Sequence, residues 1–121
     1  MSILDTIMGA TERHPEVSGE QHVSLVQSVM QMVGSRAGVA GLLQNGQSQG
    51  LGGVVQSWIG NGDNQPVDAM QVQGLLGQER IQQLASRAGV SPMIASSALS
   101  RILPVVVDKL TPHGKLPQAA A

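Results

Sequence analysis

The chain contains no cysteine, no phenylalanine and no tyrosine, and only one tryptophan. Without cysteine there can be no disulfide framework, no thiolate zinc site and no cysteine nucleophile. Such a sequence fits a reducing compartment. With a single aromatic residue, a core must be assembled mainly from aliphatic side chains. Charge is scarce too. Seven Lys and Arg stand against eight Asp and Glu, 12% of the residues, about half the usual share. A net charge of −1 gives no long-range pull on nucleic acid or anionic lipid. No apolar run approaches the ~18 residues that a bilayer span requires. The first residues, MSILDTIMGATERHPE, lack the basic and apolar regions of a secretory signal. These absences read as a cytoplasmic, soluble protein with no membrane span. Polarity comes instead from 14 glutamines and many serines.

At 121 residues the chain is most simply one domain, near the commonest domain size. The pattern assigns residues 1–117 to a single helical domain and 118–121 to a short tail. Its organising stretch runs from Gln78 to Leu110. Ile81, Leu84, Ala85 and Ala88 fall at i, i+3, i+4 and i+7, one face of a helix. Gly89 follows, where a left-handed residue ends a helix most easily. Ser91 then offers an N-cap oxygen, and Pro92 occupies the first helical position, where a missing N–H is harmless. Ile94, Ala95, Ala98, Leu99, Ile102 and Leu103 form an apolar face too wide for a surface helix, which predicts a central helix near 92–103. Pro104 removes a backbone donor and predicts a break. Leu103, Val106, Val107 and Leu110 predict a separate final helix beyond it.

Upstream, Ser2 is placed to cap a short helix carrying Ile3, Leu4, Ile7 and Met8 that ends near Gly9. Ser18 with Gln21 matches a capping box ahead of a helix to about Val33. Residues 34–38 read as a turn, and Val39, Leu42 and Leu43 as a short third helix. The polar segment 45–50, NGQSQG, reads as a flexible linker. Leu51, Val54, Val55, Trp58 and Ile59 give the cleanest amphipathic stripe, closed by Gly60 and Gly62. Asp68 with Gln71 is a second capping box, and Gly77 opens the turn into the central stretch. No segment alternates long enough to predict a strand. The fold class expected is all-α, a compact array of about six or seven short helices. Trp58, Gly60, Gly62, Gly77, Gly89 and Pro104 are its expected structural anchors.

Three blocks in this order, Gly50-Leu51-Gly52-Gly53, Ser57-Trp58-Ile59-Gly60-Asn61-Gly62 and Asn64-Gln65-Pro66-Val67, resemble the bacterial YidB-like family. Gly77, Leu84, Gly89, Leu99, Leu103-Pro104 and Leu110-Thr111-Pro112 extend the resemblance, which covers roughly 42–117. It implies a compact multihelical domain. It implies no activity, because that family is a domain of unknown function with no catalytic residues to carry over.

The chemistry legible in the residues is sparse. His14, His22 and His113 stand apart, with no pair at i, i+4 and no HExxH, so no metal ligands are assigned. Ser96, Ser97 and Ser100 cluster without a GxSxG elbow or a nearby base, and small serines there suit close helix packing. Gly50-Leu51-Gly52-Gly53 opens a helix, but no strand precedes it, no Lys follows and Val55 takes the third glycine's place, so no phosphate loop is formed. No catalytic, cofactor-binding or metal residues are assigned, and the chain is read as a non-enzyme without cofactor. The alternative function is a helix-turn-helix DNA-binding protein using 78–103, with Met93, Ser96, Ser97, Ser100 and Arg101 outside the apolar face. A single arginine is a thin footprint for a polyanion, which ranks nucleic acid low. The function expected is a protein-interaction or self-assembly module, its partner a second copy or an unknown protein. Its interaction face is expected to include Leu51, Val55, Val107 and Leu110.

Overall fold

The computed structural model describes residues 3–34, 36–59 and 63–111. Among the described residues the chain forms seven helices and no strand. They are α1 (Ile3–Ala10), α2 (Gly19–Val33), α3 (Arg36–Ser48), α4 (Gly52–Ile59), α5 (Ala69–Leu76), α6 (Gln78–Ala88) and α7 (Pro92–Leu110). The helical cap of Ser2, the glycines Gly60 and Gly62, and residues 112–121, with His113 and the tail, lie outside the described residues.

The local signals act as chemistry dictates. At the start of α2, Ser18 Oγ accepts from the Gln21 N–H at 3.1 Å, and Gln21 Oε1 accepts from the Ser18 N–H at 2.9 Å. Asp68 and Gln71 repeat this reciprocal cap before α5. Each pair satisfies donors that a helix start would leave orphaned. A single residue, Gly77, joins α5 to α6. At the end of α6, Gly89 adopts φ 76° and ψ 32°. Its N–H reaches Ser86 O, and the Val90 N–H reaches Ala85 O at 3.0 Å. This is a Schellman closure, and a Cβ at that φ would strain it.

α7 is the axis of the molecule and packs against α1, α2, α4, α5 and α6. Ala95, Leu99, Ile102, Leu103, Val106 and Val107 are fully enclosed. Around them lie Ile7, Leu25, Val26, Val29, Val55, Trp58, Val72 and Leu75. Aliphatic burial at about 25 cal/mol per Å² is what holds these helices together. Trp58 is 0% exposed, and its Nε1 donates to Gln65 O at 2.8 Å, so the largest core side chain keeps its polar atom satisfied.

Three expectations are corrected here. Pro104 does not divide the last helix: α7 runs through it to Leu110. The ring is buried, and packing on both sides of it outweighs the one missing donor. Residues 45–48 are not linker but the last turn of α3. There Gly46 is buried, Asn45 Nδ2 donates to Leu75 O at 3.1 Å, and the Leu51 N–H bonds Gly46 O at 2.6 Å. Residues 36–38, read as turn, already belong to α3.

Candidate functional site

Two surfaces carry what chemistry the fold offers. One is the helix pair α6–α7. The three residues Gly89, Val90 and Ser91 connect them, and the axes bend by 96°. Short glycine-containing turns between helices near a right angle define helix-turn-helix geometry. Ser91 Oγ accepts from the Ile94 N–H at 3.2 Å and fixes the start of the second helix.

The outward side of α7 is poorly equipped to read a groove. Met93 is 76% exposed, and Ser97, Ser100 and Arg101 follow along the helix. Ser96 is fully buried: its Oγ donates to Pro92 O at 2.9 Å and lies 3.3 Å from Gln73 Nε2. Ser100 Oγ donates to Ser97 O at 2.6 Å. These two hydroxyls turn back onto their own helix. Arg101 lies 3.9 Å from the Glu12 carboxylate, which lowers its usefulness to a phosphate.

The second surface lies between α2 and α6. Gln21 Nε2 donates to Gly89 O at 3.2 Å, so the start of α2 meets the end of α6 and the two helices run antiparallel. Along their seam opens a cleft of about 360 Å³, lined by Ser28, Gln31, Met32, Arg80, Gln83, Leu84 and Arg87. Leu84 gives it an apolar floor, and Ser28 is small enough to leave room. Among the described residues, the side chains of Arg80 and Arg87 take part in no hydrogen bond or ion pair. Sequence reading missed this cleft. Its only signal was that Arg80, Gln83 and Arg87 share one edge of α6, which acquires meaning only once α2 lies alongside.

Two members of the expected interaction face are corrected: Val55 and Val107 belong to the core. Val55 and Val107 are 0% exposed, and Leu51 and Leu110 are half-buried against the same core. The stripes that looked unpartnered cover one another within the chain, α4 against α7. Among the described residues, Met70 and Met93 are the large apolar side chains left most open, at 80% and 76%.

The two described histidines, His14 and His22, do not converge. His14 Nδ1 accepts from the Glu16 N–H at 3.0 Å in an exposed turn. His22 is buried in α2, its Nε2 2.9 Å from Thr11 Oγ1 and its Nδ1 without a partner. Burial, and secondarily the positive Arg13, hold the His22 pKa below its ordinary value. No single described helix is long and apolar enough to cross a membrane.

An all-α domain with a right-angle helical turn and a closed aliphatic core is thus in hand, and comparison with known proteins places it. The YidB-like protein family model matches residues 9–119, and the chain belongs to that family. It is 32% identical, over 98% of its own length and 86% of the relative's, to the uncharacterized protein YidB of Escherichia coli (strain K12). It is also similar to the solved structure of a homeodomain-like protein of unknown function, S4005, from Shigella flexneri. That likeness has a TM-score of 0.67 and 29% identity, covering 81% of this chain and 75% of that one.

Proposed function

We propose that the chain is a non-enzymatic interaction module that docks a protein partner on its α2–α6 face. One observation carries this reading: a cleft with an apolar floor whose two guanidinium groups have no described partner within the chain. Unpaired arginines beside buried apolar surface are what recognition sites supply, since arginine and methionine are enriched at interfaces. The amide-rich walls, Gln31 and Gln83, both donate and accept, and so suit a peptide backbone.

A second reading is DNA binding through α6–α7. It is favoured by the 96° bend and by the likeness to a structure titled homeodomain-like. It is opposed by the chemistry of α7, whose exposed arginine stands beside Glu12. Homo-oligomerisation remains part of the first reading, the partner then being a second copy.

In vivo cross-linking with residue-level mapping, beside light scattering and a low-salt DNA shift, separates these readings. Protein cross-links concentrated on Gln31, Gln83 and their neighbours are expected. A monomeric protein whose cross-links fall on the outer side of α7 and lead to DNA would reverse the order.

A further inference from the structure

We propose that the α2–α6 cleft binds an extended acidic segment of a partner protein, with one carboxylate for Arg80 and one for Arg87. The inference rests on the interaction reading and adds the chemistry of the occupant. Arg80 and Arg87 are seven residues apart on α6, which at 1.5 Å per residue separates their backbones by about 10 Å. Both line the same cleft. In an extended polyproline-II chain, which rises about 3.1 Å per residue with three residues per turn, positions i and i+3 share one face about 9 Å apart. Two acids separated by two residues therefore match the two arginines along the helix. Each guanidinium can hold a carboxylate through two parallel hydrogen bonds, a geometry lysine cannot reproduce.

The surroundings select for spaced carboxylates. Leu84 and Met32 offer apolar contact to the residues between the acids. Glu79 lines the adjoining groove with Gln82 and Ser86, and that groove also reaches Arg87. A uniform polyanion would meet that carboxylate, whereas a segment with two acids and a neutral flank would not.

The test uses the full chain and a fluorescent decapeptide in which two glutamates, separated by Pro-Ala, sit in an otherwise uncharged sequence. Anisotropy at low salt should give a Kd below about 1 mM. Arg80→Gln and Arg87→Gln should each weaken binding about three- to fivefold, as expected for exposed charge pairs. Replacing both glutamates of the peptide by glutamine should weaken it about tenfold or more. Amide shift changes should fall on α2 and α6. Circular dichroism and thermal melting of both variants confirm that the fold is intact. Equal binding of the glutamine peptide, binding indifferent to both arginine variants, or shift changes centred on α7 would overturn the proposal. So would a single-stranded oligonucleotide that competes at concentrations below those of the peptide itself. If the peptide fails while protein cross-links still map to this face, the acidic occupant is wrong and the interaction module stands. If cross-links lead to DNA on α7, the module falls as well.

Discussion

The Gln21 side chain reaches Gly89 O with its Nε2, 3.2 Å away, while its Oε1 accepts from the Ser18 N–H. One amide thus closes the cap of α2 and ties that cap to the turn between α6 and α7. A capping box alone is indifferent to glutamine or glutamate at this position. The contact with Gly89 is not, because a carboxylate has no N–H to donate.

Gln21→Glu is therefore expected to destabilise the protein by about 1 kcal/mol, the net worth of one hydrogen bond. Local reasoning gives the opposite sign, since an acid in the first turn complements the helix dipole. Urea unfolding of the two proteins decides between them, and an unchanged or raised midpoint would mean that the Gly89 contact contributes nothing.

Trp58 and Ser57 together clamp the backbone of Gln65. Trp58 Nε1 donates to its carbonyl at 2.8 Å, and its N–H donates to Ser57 Oγ at 2.9 Å. Trp58→Ala should cost about 3–5 kcal/mol for the lost volume. Trp58→Phe keeps most of the apolar area but loses the hydrogen bond to the Gln65 carbonyl, which should cost about 0.5–1.5 kcal/mol. With one tryptophan in the chain, native emission should be blue-shifted. A maximum near that of free tryptophan would contradict the burial.

How much of this was legible beforehand depends on the range of each signal. Ser18 with Gln21, Asp68 with Gln71, and Gly89 with Ser91 and Pro92 are local rules, and each can be read from four or five residues. Pro104 is a local rule that the fold overrides, because the surrounding apolar side chains are fully enclosed. The segment around Gly46 looked like linker because it is polar. What matters there is a missing side chain that lets α3 approach α4 and α5, and absence carries no periodicity. Leu51, Val55, Val107 and Leu110 were rightly apolar, but an apolar stripe reports that something covers it and not what does. The α2–α6 cleft needed the antiparallel pairing of two helices distant in sequence.

Two of the three glycines of α3, Gly41 and Gly46, should respond oppositely to the same change. A Cβ on Gly46 would come within 2.9 Å of Val55 Cγ2 and 3.4 Å of Leu75 Cδ2, whereas one on Gly41 meets nothing within 4 Å. Gly41→Ala should stabilise by up to about 1 kcal/mol through helix propensity. Gly46→Ala should destabilise by about 1–3 kcal/mol, as overpacking does. Thermal melts of the pair check this, and a rise for both would show that the three helices can move apart freely.

His22 makes stability depend on pH. Its folded-state pKa is lowered, chiefly by burial and then by Arg13, so the unfolded chain binds the proton more readily. The stability linked to the neutral ring is complete above the ordinary imidazole value of about 6.5 and is lost as pH falls below it. The melting temperature should fall more between pH 7.5 and 5.0 in the native protein than in His22→Gln. Because His14 and His113 are common to both proteins, parallel curves would exonerate His22.

Duplex DNA should bind weakly and without sequence preference. Helix-turn-helix readers place polar and basic side chains of the second helix against base edges and phosphates. Here the second helix presents Met93, Ser97, Ser100 and Arg101, with Arg101 half engaged by Glu12 at 3.9 Å. Arg80 and Arg87 could add two phosphate contacts from α6. Two or three such contacts predict a shallow slope of log affinity against log salt, about −2 to −3. At about 150 mM salt the affinity should be no tighter than the micromolar range usual for non-specific electrostatic binding. Glu12→Gln, which frees Arg101, should strengthen binding slightly at low salt and leave it non-selective. Submicromolar binding that discriminates one duplex from another at 150 mM salt would instead make α7 a reading helix, because base-edge contacts, and not charge, would then have to supply the difference.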